Sequence, residues 1–210
     1  MKKILVIGAN GFAGRRILDK LSSNGECEVV GCSLHPDIQP GEKHTFVRVD
    51  MNDYPAVEVL FDHVCPDVVI NCSALSVPDY CEQHREEAYA INVVAVENLA
   101  HCCEQQGSRF IHLSTDFVFD GKSDRLYTEE DMPAPLNYYG LTSIRENRRL
   151  QGTVATMRLP VWLSSTGKHC RDSMAISCNW SRIVWRQGRR SVSFPTNIVR
   201  RLGWRISQMA

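Results

Sequence analysis

Residues 1–142 predict an α/β fold, a doubly wound parallel sheet, on three observations. Short, continuously apolar runs recur along this part of the chain, the pattern of strands buried on both faces. Stretches with helical spacing of apolar residues alternate with them, as βαβ units require. The first run opens directly into a glycine turn and then a helix.

The elements follow in order. Lys3-Ile4-Leu5-Val6-Ile7 predicts the first strand, and Ile17, Leu18 and Leu21 mark the helix after it. Between them lies Gly8-Ala9-Asn10-Gly11-Phe12-Ala13-Gly14, spaced G-x-x-G-x-x-G. Glycines at that junction let the backbone turn tightly and approach a pyrophosphate, whose charge is favoured at a helix N-terminus. Glu28–Cys32 predicts the second strand, ending at Ser33-Leu34-His35. A carboxylate there would accept bonds from the adenosine ribose of NAD, and a basic residue would accommodate the 2′-phosphate of NADP. Ser33 tolerates either.

Phe46–Val49 predicts a third strand, and Asp50-Met51 follows it. Asp50 reads equally as a contact to an adenine amino group or as a helix N-cap. A helix from Tyr54 to His63 comes next, then a fourth strand over Pro66–Asn71. That strand ends in Cys72-Ser73-Ala74, small residues that let backbone pass close under a ligand. One helix is expected from Glu82 to Gln106, with Ala88, Ile91, Val94, Ala95 and Leu99 on its apolar face and Asn92 without a local reason. Arg109–Leu113 predicts a fifth strand, with His112 a core residue, and it delivers Ser114-Thr115-Asp116 to the sheet edge where such folds bind ligands. The polar, proline-bearing segment 120–135 suits a surface loop near a substrate.

The formal net charge is zero, but it divides unevenly. Residues 1–142 hold eleven Lys and Arg against twenty-two Asp and Glu, whereas 143–210 hold thirteen against two. All four tryptophans, Trp162, Trp180, Trp185 and Trp204, lie in the second part. No apolar run is long enough to span a bilayer, and no secretory signal precedes Gly8. The nine cysteines are irregularly spaced and include no convincing zinc pair, which fits reduced thiols, no metal site and a cytoplasmic location.

Three signatures together carry a resemblance: the glycine turn, Ser114-Thr115-Asp116-Phe117-Val118-Phe119-Asp120-Gly121, and Pro135-Leu136-Asn137-Tyr138-Tyr139-Gly140-Leu141-Thr142. Residues 1–142 resemble the extended short-chain dehydrogenase/reductase superfamily and, within it, the dTDP-4-dehydrorhamnose reductases. The resemblance implies an NAD(P)-binding Rossmann domain that reduces a 4-keto nucleotide-sugar with NADPH or NADH, in dTDP-rhamnose biosynthesis. It implies that Tyr139 gives the proton, Thr115 orients the carbonyl, and Asn92 supports a relay water. Gly8, Asn10, Gly11, Phe12 and Gly14 would hold the pyrophosphate, with Ser33, Asp50 and Met51 at the adenosine and Cys72, Ser73 and Ala74 beneath the cofactor. The family pattern continues Y-x-x-x-K, and its lysine holds the cofactor ribose and lowers the tyrosine pKa from its unperturbed value of about 10. Here that position is Ser143. A non-catalytic cofactor-binding partner protein, similar to the regulatory subunit of methionine adenosyltransferase, shares the fold. A nucleotide-sugar epimerase or dehydratase shares it too, though the S-T-D-x-V-F-D-G run speaks against that assignment.

Residues 143–210 read as an out-of-frame tail that replaces the last strands and the substrate-binding region. Amino acids constrain their codons, so a second frame can be partly rebuilt. Joining each third base to the next two, residues 143–147 permit Y-[S/T]-G-E and Ser165–Arg171 permit Y-G-K-A-L-P-G. Met174-Ala175 force glycine, and Ser193–Leu202 permit V-S-D-Q-Y-R-T-P-T. On this reading the sheet is truncated, its sixth strand is missing, the tail has no native fold, and a homodimer would need the intact frame. A basic, tryptophan-bearing tail can also bind nucleic acid or anionic lipid. This one shows neither a helical period of basic residues nor interleaved aromatics, so neither partner is expected.

Overall fold

The computed structural model describes residues 1–149 and 157–161, apart from 24, 42, 124–126 and 129–130. Its strands are β1 (Lys2–Ile7), β2 (Cys27–Ser33), β3 (Thr45–Arg48), β4 (Val68–Asn71), β5 (Arg109–Thr115) and β6 (Met157–Val161). Its α-helices are α1 (Phe12–Ser22), α2 (Tyr54–Val64), α3 (Pro78–Gln83), α4 (Arg85–Tyr89), α5 (Ala95–Gln106) and α6 (Tyr138–Arg149). A π-helical turn spans Ala90–Val94 and a 3-10 turn spans Asp116–Val118. The strands form one parallel sheet in the order β3-β2-β1-β4-β5-β6. That order reverses direction between β1 and β4, and a crevice at the carboxyl ends of those strands is where such sheets take ligands.

Alternation within β1 explains why both faces of the sheet are covered. Leu5 and Ile7 enter one core with Val57 and Phe61 of α2, Leu99 of α5 and Phe110 of β5. Val6 points the other way, into a core with Ile17 and Leu18 of α1, Val29 and Ile70. Full burial of each such side chain contributes about 1.5–3 kcal/mol.

Two expectations need correction. The single helix expected over 82–106 is segmented. His84, at φ −125° and ψ 57°, leaves the helical region between α3 and α4, and the π turn then widens the helix at Asn92. The sheet also has the sixth strand that the sequence was expected to lack, and α6 runs from Tyr138 to Arg149, across the start of the expected out-of-frame tail. Among the described residues β6 pairs only with β5, Ile111 opposite Met157 through Thr115 opposite Val161. Arg158 and Pro160 broke the apolar pattern that would have announced it. Proline is accommodated on an outer strand, since an N–H turned away from the single neighbour forms no ladder bond. Residues 162–210, with the four tryptophans and the rest of the expected out-of-frame tail, lie outside the described residues. Among the described residues, no helix is long and apolar enough to cross a membrane.

Candidate active site

The glycine turn is shaped by close backbone approaches. Gly8 has φ +72°, and a Cβ there would lie 2.7 Å from the Ser73 amide nitrogen. A Cβ on Gly14 would overlap the Gly8 carbonyl oxygen, so α1 starts directly against the turn. Gly11 caps α1 without a side-chain bond, and the first turn carries no acidic residue. Its amides are therefore left for an anion, which fits the pyrophosphate of a dinucleotide. Phe12 opens the helix and is 65% exposed. Asn10 braces the turn from outside: its Nδ2 donates to the His35 and Pro36 carbonyls at 3.1 and 2.9 Å, and its Oδ1 accepts from Ile38 N at 3.4 Å. That amide is spent on backbone, so Asn10 fixes the loop after β2.

At the ends of β2 and β3, the Ser33 carbonyl accepts from Val49 N at 3.0 Å. Arg48 reaches across and donates from Nε to the Leu34 carbonyl at 2.9 Å. Asp50 does not cap α2. Its Oδ1 accepts from Asn52 N at 2.9 Å, and the cap is Asp53, whose Oδ1 accepts from Ala56 N at 3.2 Å. The side chain of Met51 is buried in the core with Val30 and Cys32.

Beyond β4, Asn71 holds the loop that carries Cys72, Ser73 and Ala74. Its Oδ1 accepts from Ser73 N at 2.9 Å and Ser73 Oγ at 2.6 Å. Its Nδ2 therefore faces His112 Nδ1, 3.0 Å away, which must be the acceptor, with the ring proton on Nε2. His112 is a buried structural residue, as its strand position indicated. Desolvation pushes the Cys72 thiol up to about 12, so it stays a neutral thiol. The described cysteines are free.

The catalytic candidates come from β5 and α6. Thr115 ends β5, buried, and its Oγ donates to Asp116 Oδ1 and accepts from Phe117 N, both at 3.3 Å. Burial raises the Asp116 carboxyl above its ordinary value, against the hydrogen bonds from Thr115 and the local amides. Tyr139 lies in the first turn of α6, 9% exposed, with its ring edge-on to Phe117 at 5.6 Å between centroids. Gly140 makes that approach possible, because a Cβ there would overlap the Phe117 carbonyl oxygen. So the structure brings the turn after Thr115 and the helix of Tyr139 into direct backbone contact.

Two residues missed in the sequence position that helix, and a third holds the loop after β4. Asn137 caps it, its Oδ1 accepting from Gly140 N at 2.8 Å, a cap that the Asn before a helical run could have signalled. Glu82 accepts from Tyr138 N at 2.6 Å while Arg85 pairs with its other oxygen at 2.7 Å; nothing in the spacing predicts a contact across 56 positions. Asn71 read only as the end of a strand. Asn92, expected near a relay water, is buried and spends its amide on structure. Its Oδ1 accepts from Leu75 N at 2.8 Å, and its Nδ2 donates to the Leu75 carbonyl at 3.0 Å and to Thr142 Oγ at 3.1 Å. It thus ties the β4 loop to α6, from a π turn of the kind often found at functional sites. Ser143 is buried one turn after Tyr139, and its hydroxyl donates to the Tyr139 carbonyl at 3.2 Å.

This sheet order, with its glycine turn at one strand end and a threonine and a tyrosine carried at another, defines a dinucleotide-binding fold of the short-chain dehydrogenase/reductase class. The chain belongs to the RmlD substrate binding domain family, whose profile matches residues 1–176. The match runs past residue 142, where the likeness read from motifs stopped, and takes in α6 and β6. The chain is 40% identical over 139 residues to a Haloferax volcanii protein named as the probable low-salt glycan biosynthesis reductase Agl14, covering 66% of this chain and 45% of that one. It is 34% identical over 178 residues to methionine adenosyltransferase 2 subunit beta of Xenopus laevis, covering 83% and 51%. A crystal structure of a dTDP-4-dehydrorhamnose reductase from Clostridium acetobutylicum superposes with a TM-score of 0.66 at 30% identity, covering 75% and 52%. The chain spans about half the length of these relatives.

Proposed function

We propose that this chain carries the cofactor and catalytic half of an NAD(P)H-dependent reductase of a 4-keto nucleotide-sugar, of the dTDP-4-dehydrorhamnose reductase type. The supporting observation is the backbone contact at Gly140, which sets Tyr139 beside the strand end that bears Thr115. The turn at Gly8, Gly11 and Gly14 would hold the pyrophosphate, with Cys72–Ala74 beneath the dinucleotide. When bound, the reduced nicotinamide supplies the hydride. Tyr139 would give its phenolic proton to the carbonyl oxygen, and the Thr115 hydroxyl would hydrogen-bond that same oxygen. Donors fixed in place before the reaction lower the cost of the charge that develops there. Asn92, Asn137 and Glu82 act at one remove, by holding α6.

We further propose that activity is impaired in this 210-residue chain. Ser143 offers a neutral hydroxyl where the family pattern has a lysine, and residues 143–210 read as an out-of-frame tail in place of the substrate-binding region. A homodimer is proposed only for a chain that has that region. One specific observation favours a second reading, a non-catalytic dinucleotide-binding partner protein: the buried Ser143 hydroxyl already has its bond, so the helix is complete without a lysine.

Titrating the purified chain with NADPH and NADH, then following their oxidation with a dTDP-4-keto-6-deoxy-sugar, tests both. Binding with slow turnover that Tyr139→Phe abolishes supports the reductase. Binding with no turnover, even after Ser143→Lys and extension with a family substrate region, supports the partner protein. Failure to bind either dinucleotide overturns both.

A further inference from the structure

A buried histidine, two contacts away from the glycine turn, holds the loop after β4 in a way that only its neutral form allows. The Cys72–Ser73 peptide lies directly against that turn, since a Cβ on Gly8 would fall 2.7 Å from Ser73 N and 3.0 Å from the Cys72 carbonyl carbon. Cys72 N donates to the Ile7 carbonyl at 2.9 Å, and Ser73 N and Oγ donate to Asn71 Oδ1 at 2.9 and 2.6 Å. With both Ser73 donors on its oxygen, the Asn71 amide has one orientation, and its Nδ2 faces His112 Nδ1 at 3.0 Å. Asn71 is fully buried and His112 is 3% exposed, so bulk water replaces neither partner. A proton on Nδ1 would set donor against donor. The amide could answer only by turning over, which brings its own N–H groups against Ser73 N and leaves that backbone donor without an acceptor. The buried or half-buried ionisable groups on the helices packed over this face are Tyr54 of α2, Glu97, Cys102 and Cys103 of α5, and Tyr139 of α6. Burial raises both thiols, which stay neutral. Of the cations, Arg145 of α6 lies over the Tyr89 ring, and Arg158 is the register partner of His112 on β6.

We infer that His112 is a positioning residue for the dinucleotide: neutral, it accepts from Asn71 and so holds Ser73 against the Gly8 turn, and protonated, it releases that support. This rests on the dinucleotide site proposed above. Binding needs the neutral ring, so affinity is fully present at the alkaline end of the imidazole range and is lost as the pH falls through it.

Oxidised NAD, which has no 2′-phosphate to titrate, is the probe. Its dissociation constant is measured by calorimetry on the full chain from about pH 8 to about pH 5. The wild type should bind about tenfold more weakly at the acid end, the scale of one buried bond lost. His112→Asn sets an amide oxygen where Nδ1 accepts and does not titrate, so it should bind like the wild type at the alkaline end and lose the pH dependence. His112→Leu has no acceptor and should bind about tenfold more weakly throughout. A flat wild-type profile, or a pH dependence that persists in His112→Asn and so belongs to a group such as His35 or His44, would overturn the inference and leave the dinucleotide site standing. Failure of NAD and NADP alike to bind would remove both. Should a variant fail to fold, nitrogen NMR of the wild-type imidazole decides. An Nε2–H tautomer whose protonation shifts the Ser73 amide with the same midpoint supports the inference, and an Nδ1–H tautomer or an unmoved Ser73 amide overturns it.

Discussion

Replacing Gly140 with alanine sets two effects of opposite sign against each other, and the structure decides between them. In a helix whose surface is free, Gly→Ala stabilises by about 1 kcal/mol because the alanine backbone has less freedom to lose. Here the new Cβ would fall 2.9 Å from the Phe117 carbonyl carbon and 2.9 Å from Pro135 Cβ, and closer still to the Phe117 oxygen. Comfortable carbon contacts are about 3.5–4.0 Å, so the start of α6 must move away from the 3-10 turn by roughly 1 Å. Backbone cannot swing aside as a flexible side chain can, which places the cost in the overpacking range of about 1–3 kcal/mol. The net expectation is a lower urea midpoint with an unchanged slope, and a melting temperature lower by about 2–4 °C per kcal/mol. Gly41→Ala is the control, since a Cβ there meets nothing within 4 Å. The same displacement separates Tyr139 from Thr115, and a misplacement of that size costs about a hundredfold in rate wherever turnover is measurable. Dinucleotide binding at the ends of β1 to β3 should be unchanged. A Gly140→Ala protein as stable as the wild type, or more so, would refute the reasoning.

Asn92→Leu should destabilise by roughly 2–5 kcal/mol, seen as a lower denaturant midpoint, because it strands both the N–H and the carbonyl of Leu75. Glu82 gives a pH signature. The Arg85 guanidinium first, and the Tyr138 amide second, hold its carboxyl below the ordinary 4.5, so its contribution is fully present above that pH and is lost as the pH falls through the lowered value. Glu82→Gln should therefore flatten that part of the acid limb in melts between neutral pH and about pH 3, an outcome that melts of the two proteins side by side can deny.

What was legible in the sequence was whatever depends on neighbours along the chain. β1 to β5 were readable because strands buried on both faces must be continuously apolar, and the glycine turn because strand, turn and helix are adjacent. β6 was not, for its pairing with β5 spans more than forty positions and its own residues include an arginine and a proline. The long helix failed at His84 for the opposite reason. Helical periodicity continues across the break, and only the backbone angles of one residue show it. In the site, Tyr139 and Thr115 were found through motifs. The groups that hold them (Glu82 and Asn92) act across distant contacts, and a polar side chain gives no hint in one dimension of which remote amide it will meet.

Ser143 shows how fold and chemistry separate in this helix. A buried lysine must be paired or solvated, so removing one could have left a cavity or a stranded acid. Among the described residues of α6, no buried polar side-chain atom is left without a partner. The Ser143 hydroxyl donates to the Tyr139 carbonyl, Thr142 donates to the same carbonyl at 2.7 Å, and Asn92 donates to Thr142 in turn. The helix is therefore closed by its own hydroxyls and keeps its contact with the turn after Thr115. Whatever chemistry a cation at this position would supply, the position of Tyr139 does not depend on it. A chain with serine here can keep the dinucleotide fold and the approach of the two catalytic candidates while lacking one charge, which is why binding and turnover must be measured separately.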